Sequence, residues 1–329
     1  MPGATTESFQ RIFPDSGTER EARIFSVGAI QAGSKALQLL ALPGFSAKVL
    51  AVLSGGVYLS AANGEIFWIC SEGAPLHRRG IFVSCLPLVT PGEPCSAASP
   101  GLAFSGGASV ALRGAGEWVP PEPEPETSAS PAIMRTRLRR LLAVLELFEI
   151  PDGLGPSLSL LSALAKGRAV PSFPPGSLME RVKAAIWGLA RDCRRGEIAP
   201  VALKGRELTG LGPGLTPSGD DFLGGLFFAV QFLRRICPAA FPHTEVDLSG
   251  LLDWARTRTH PVSHAVFGDL VMGHGPGPLH ELAGQLAGRP EDPVQALDAA
   301  VRLSRIGHSS GWDMLAGFLT GMLMIDHKE

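Results

Sequence analysis

Two adjacent aspartates, Asp220 and Asp221, follow a serine and a glycine at the mouth of an apolar run, and the same grammar returns 92 residues later, from 218 to 310. Ser218-Gly219-Asp220-Asp221-Phe222-Leu223-Gly224-Gly225 aligns with Ser310-Gly311-Trp312-Asp313-Met314-Leu315-Ala316-Gly317. Serine, the first glycine, the second aspartate, leucine and the last glycine coincide. Each copy reads as a capping box, with serine at the cap and aspartate three residues on. The first copy is preceded by Gly210-Leu211-Gly212-Pro213-Gly214-Leu215-Thr216-Pro217. Glycines in such a loop permit positive φ and close backbone approach, and prolines hold its path. A helix start offers unpaired N–H groups and partial positive charge, which suit an anion. The aspartates suit the helix dipole but repel a bare phosphate. A cation held by Asp220, Asp221 and Asp313 would reconcile the two, and Mg²⁺ is the candidate. One reading stops at helix capping. The other packs the two helices together and brings both starts to one ligand site. A cap alone does not need the glycines and proline ahead of it, which favours the second.

These motifs need elements to hold them. The chain has 329 residues, enough for two domains and a large core, and is 45% hydrophobic and 18% charged. Its net charge of −2 provides no electrostatic reason to expect nucleic acid. The five cysteines are odd in number and form no C-x-x-C pair, as in a reduced, cytoplasmic protein. No basic-then-apolar leader is visible at the N-terminus, and no apolar run is long enough to span a bilayer.

The expected fold class is α+β, a small β-barrel or sandwich followed by an all-helical domain. Residues up to about Gly17 read as a loose arm within a β-rich domain, 1–118. Short β-type runs occupy 47–53, 57–60, 65–70, 80–86 and 108–112, and Asn63-Gly64 marks a hairpin. His77-Arg78-Arg79 reads as a solvated turn, with a binding edge as the alternative. Residues 119–131, VPPEPEPETSASP, form a proline- and acid-rich linker. The helical domain covers 132–329, with helices expected over 132–150, 156–166, 177–195, from 218, 248–258, 279–286, 293–304 and from 310. Arg135, Arg137, Arg139 and Arg140 read as a solvated face, with pairing to a partner's acids or a phosphate as the alternative. His260 and His264 are four apart, a spacing that allows a metal pair, but Pro261 places His260 near a cap.

The segments 210–223, 259–263 and 307–313 together resemble the AllH-like family, a domain of unknown function that supplies the third subunit of oxamate carbamoyltransferase in allantoin catabolism. The likeness reads as spanning most of the chain. It implies a component of an enzyme interconverting oxalurate and phosphate with oxamate and carbamoyl phosphate. It also implies other subunits as partners, a small anionic substrate and no membrane. Carbamoyl phosphate needs an anchored phosphate and a polarised carbonyl, which helix-start amides can provide. In this reading the amides at Gly212, Gly214, Gly219 and Gly311 face the ligand. Thr216, Ser218, Ser309 and Ser310 add hydroxyl donors. Asp220, Asp221 and Asp313 hold a cation or orient those donors, with Asp221 and Asp313 also in the catalytic set. His308 is the acid–base candidate, or a loop histidine bonding backbone. A non-catalytic assembly subunit is the rival reading. A nucleotide-dependent ligase or kinase is disfavoured, because no G-x-x-x-x-G-K-[ST] occurs.

Overall fold

The computed structural model describes residues 25–122, 129–238, 241, 248–288 and 292–328. The expected N-terminal arm and residues 123–128 of the linker lie outside the described residues.

The first half is a closed barrel. Its strands are β1 (Phe25–Gly33), β2 (Ser46–Leu53), β3 (Gly56–Ala61), β4 (Ile66–Ser71), β5 (Gly80–Val83), β6 (Pro94–Ala97), β7 (Gly101–Phe104), β8 (Ala108–Ala111) and β9 (Gly116–Trp118). Eight close in the order β1-β5-β4-β3-β2-β6-β7-β8, and β8 returns to β1. One edge of β1 takes β8 at Phe25–Gly28 and β9 at Gln31–Gly33, both parallel, while the other edge pairs antiparallel with β5. Alternation sets the two faces of each strand. Val57, Leu59, Phe67, Ile69 and Ile81 fill the barrel. Tyr58 and Trp68, register partners across β3 and β4, lie on the outer face. The expected Asn63-Gly64 turn joins β3 to β4, with Gly64 at φ +83°. A short helix α1 (Ser34–Leu40) inside the barrel region had no counterpart in the strand pattern.

The second half is helical. It comprises α2 (Pro131–Leu145), α3 (Leu158–Ala165), α4 (Leu178–Arg194), α5 (Ile198–Gly205), α6 (Ser218–Ile236), α7 (Ser249–Arg256), α8 (Pro261–Val271), α9 (Gly277–Ala287), α10 (Pro293–Ser304) and α11 (Ser310–Met322). The α+β expectation therefore holds, with the barrel alternative realised. Helix α6 is buried on every side through most of its length, as an all-round apolar sequence requires. It packs against α11 backbone to backbone. A Cβ at Gly225 would collide with the Met314 carbonyl, and one at Gly317 with the Phe222 carbonyl. Those two contacts are mirror images under the 92-residue offset seen in the sequence, since 225 pairs with 317 and 222 with 314.

Two expected solvated segments are instead buried. His77 and Arg79 sit at the seam between barrel and helices. Arg79 donates from Nε and a terminal nitrogen to the Asp269 carboxylate of α8, at 2.6 and 2.9 Å, and also to Glu65 at 2.7 Å. On α2, Arg135 pairs with Asp326 at 2.8 Å and Arg137 caps the end of α9 at the Leu286 and Gly288 carbonyls. Arg139 and Arg140 alone keep the exposed face. A long guanidinium can be buried when its fork finds a carboxylate or several carbonyls, and neither partner is near in sequence. The histidine pair separates in function: His260 caps α8 by accepting from the Val262 amide, and His264 Nε2 meets the Leu252 carbonyl.

Candidate functional site

The two copies of the motif meet at the starts of α6 and α11. The motif serines Ser218 and Ser310 are the first helical residues rather than the caps. The caps are Pro217 and Ser309, and neither side chain makes a capping bond. Serine–aspartate bonds run between the helices, beside one from Ser309 to Asp313 that stays within the start of α11. The Ser310 hydroxyl hydrogen-bonds Asp221, and the Ser218 hydroxyl hydrogen-bonds Asp313. Thr216 joins the Ser310 hydroxyl at 2.9 Å and also hydrogen-bonds Asp221. The close approach at Gly225 and Gly317 makes this exchange feasible, because it sets the two helix starts side by side.

The glycines have different tasks from those expected. A Cβ at Gly219 would strike the Leu208 carbonyl, and the Gly219 amide donates to the Leu211 carbonyl at 2.8 Å. Gly311 repeats this, packed on the Leu303 carbonyl with its amide donating to Ile306 at 2.9 Å. These amides are therefore taken up inside the protein rather than presented to a ligand. Gly212 and Gly214 have φ of +114° and +94°, and Gly212 lies against the first amide of α6. They shape the loop around the helix start.

The three aspartates differ. Asp220 is buried and faces α8. Its carboxylate accepts from the Gly210 amide at 2.8 Å, from the Ser263 hydroxyl at 2.7 Å and from the Thr259 hydroxyl. It clamps the glycine loop to the segment that starts α8. Asp313 is 0% exposed, and its Oδ1 accepts from the Leu154 and Gly155 amides at 2.6 and 2.9 Å. Asp221 is 2% exposed, and its Oδ2 has no hydrogen-bond partner, as is true of Asp313 Oδ2. Burial, followed by the charges of Asp313 and Asp220, pushes the Asp221 carboxyl well above the usual carboxylate range against the Ser310 and Thr216 hydrogen bonds. Burial raises Asp313 as well. Among the described residues no group of three or more His, Cys, Asp or Glu is arranged to hold a metal ion. Asp220 turns away to α8, which separates it from the other two.

Asp221 borders a cleft of about 410 Å³ between the helix starts and the outer face of the barrel. Thr216, Asp221 and Ser310 line it from the helix starts, and Arg305 lines it from the end of α10. Arg305 is exposed, and its guanidinium has no hydrogen-bond or ion-pair partner among the described residues. Tyr58 and Trp68 come from the barrel, their rings 5.9 Å apart, and Trp68 also lies 4.8 Å from the buried ring of His77. Asp221 lines the cleft, while Asp313 lies behind it and His308 is exposed outside its lining. Sequence reasoning missed Arg305, Tyr58 and Trp68. Alternation along β3 and β4 puts both rings on the outward face, but nothing local said that helices would cover it.

The molecule is thus a closed β-barrel joined to a helical body, with a cleft between them floored by two reciprocally bonded helix starts. Residues 208–322 match the model of the family described as oxamate carbamoyltransferase subunit AllH. The match confirms the likeness read from the three motifs, over a narrower span than expected, and leaves the barrel outside it. No curated protein and no solved structure matches the chain. No helix among the described residues is long and apolar enough to cross a membrane.

Proposed function

We propose that the chain is a ligand-binding component of an oxamate carbamoyltransferase-like enzyme, and that the cleft holds a phosphate- or carboxylate-bearing substrate. The observation that carries this is Asp221. A carboxyl almost wholly buried, with an oxygen left unpartnered, stands beside two hydroxyls in an open cleft that Arg305 also lines. Buried polar atoms are ordinarily satisfied, and orphans concentrate where something else is to be bound. Thr216, Ser310 and Arg305 offer donors to an anion. Asp221 in its protonated form offers another and does not repel the ligand, so it does what a bridging cation was expected to do.

The implied chemistry is carbamoyl transfer. A phosphate oxygen attacks the carbamoyl carbon of oxalurate, the carbon–nitrogen bond to oxamate breaks, and the departing nitrogen takes a proton. Asp221, whose burial favours the protonated carboxyl, is placed to supply that proton, with Asp313 behind it. His308, one residue from the cleft-lining Gly307, remains the second acid–base candidate. The match to a subunit family favours partner chains and keeps the assembly role as the alternative.

Calorimetric titration with carbamoyl phosphate, with and without Mg²⁺, tests the reading. Binding is expected to the wild type and to be lost in Asp221→Asn, with an unchanged circular-dichroism spectrum. Unfolding of that variant would support a capping role alone. An absence of binding to the isolated wild-type chain, with turnover appearing only when partner subunits are added, would favour the assembly role.

A further inference from the structure

The cleft is larger and more apolar than a small inorganic anion requires. Its volume of about 410 Å³ falls in the ~300–1,000 Å³ range of sites that enclose organic ligands. Thr216, Asp221 and Ser310 stand together on its helical side, where Thr216 and Ser310 are 2.9 Å apart, and Arg305 also lines it. The remainder is bordered by Leu53, Tyr58, Trp68, Pro75, Val262 and Val266. The barrel side of this wall is rigid. Tyr58 and Trp68 are held in register by two paired strands, and Trp68 is backed by the buried His77 ring. The two walls border the same cleft, with Tyr58 and Trp68 on the barrel side and Thr216, Asp221 and Ser310 on the helical side.

We propose that Tyr58 and Trp68 form a specificity wall that takes the flat, apolar or aromatic body of a ligand whose phosphate or carboxylate is held at Thr216, Ser310 and Arg305. The inference rests on the anion site proposed above and adds a role for the barrel, which the family match does not cover. The cleft then also admits an organic phosphate or carboxylate that carries an uncharged ring or branched chain, beyond the small anions of the carbamoyl-transfer reading. Stacking on an aromatic wall and removal of apolar surface from water would stabilise such a body, while phosphate alone gains only the polar groups.

Calorimetry with two probes, inorganic phosphate and phenyl phosphate, separates the parts. Phenyl phosphate should bind the wild type roughly tenfold tighter or more. Trp68→Leu and Tyr58→Leu keep apolar bulk without the ring, and each should remove most of that advantage while leaving phosphate affinity within about twofold. Arg305→Gln should weaken both probes by the same factor. Equal affinities in the wild type, or an advantage that survives in both ring variants, would overturn the specificity wall and leave the anion site standing. Failure of both probes to bind would overturn the anion site and the wall together.

Discussion

The starts of α6 and α11 carry nearly the same residues, yet one is open and the other closed. At α11 the Asp313 carboxyl is covered by the loop before α3, whose Leu154 and Gly155 amides donate to it. Gly153 lies so close to that carboxyl that a side chain there would run into it. At α6 the equivalent position, Asp221, has no such loop. It receives only hydroxyls, and beyond them is the cleft. The residue before each carboxyl also differs. Asp220 ties its helix to α8, whereas Trp312 packs on Phe148, ring centroids 6.1 Å apart, and on Gly155. A duplicated motif thus supplies one carboxyl tied to a loop and one that borders the cleft, although each keeps one oxygen without a partner. Reciprocal hydrogen bonds couple the pair, so the closed end positions the open one.

The shared part of the comparison breaks most severely at the crossing. Gly225→Ala and Gly317→Ala each force a methyl group into a backbone carbonyl of the other helix. Each should cost about 3 kcal/mol in urea denaturation, and the two should match closely. Unequal losses would show that the two-fold relation is superficial. The asymmetric part is sharpened by Asp313→Ala and Asp221→Ala. The first strands two backbone amides and should cost about 2 kcal/mol, while the second removes a costly buried group and should cost under about 1 kcal/mol. The same denaturation midpoints at pH 7 decide it, and the reverse order would mean that Asp221 is the structural member.

The smallest effect is spectroscopic. The chain has one tyrosine, Tyr58, so its ionisation can be followed by ultraviolet absorbance without ambiguity. Burial raises its pKa first, then Cys70, then Asp221. A nearby negative charge disfavours the phenolate, so Asp221→Asn should move the Tyr58 transition to lower pH. Asp313→Asn, lying behind the cleft, should leave it nearly in place. No displacement in the Asp221 variant would contradict the shared cleft.

Much of this was legible beforehand. The hairpin at Asn63-Gly64, the barrel-or-sandwich class and the helices over 293–304 and from 310 follow from local turn chemistry and periodicity. So did the pairing of the two motifs, because repeated glycines at one offset signal two backbones in contact. The errors share a cause. His77-Arg79 and Arg135-Arg137 look solvated when only neighbours in sequence are counted, and their partners Asp269, Asp326 and the end of α9 are far along the chain. Helix α5 was passed over for the same reason, since its buried stripe is only Ile198, Val201 and Gly205.

By itself the sequence determined which segments turn, pair as strands or coil, and that two serine–aspartate helix starts would be duplicates. Those properties depend on φ preferences and on apolar periods of two and 3.6, which are local. Only the tertiary structure decided that the serines would bond the opposite helix's aspartates, that one carboxyl would be closed and the other left facing Tyr58, Trp68 and Arg305. Those outcomes depend on which distant surfaces exclude water from each group. Burial of a carboxyl is a property of its neighbours in space, and no residue's own identity carries it.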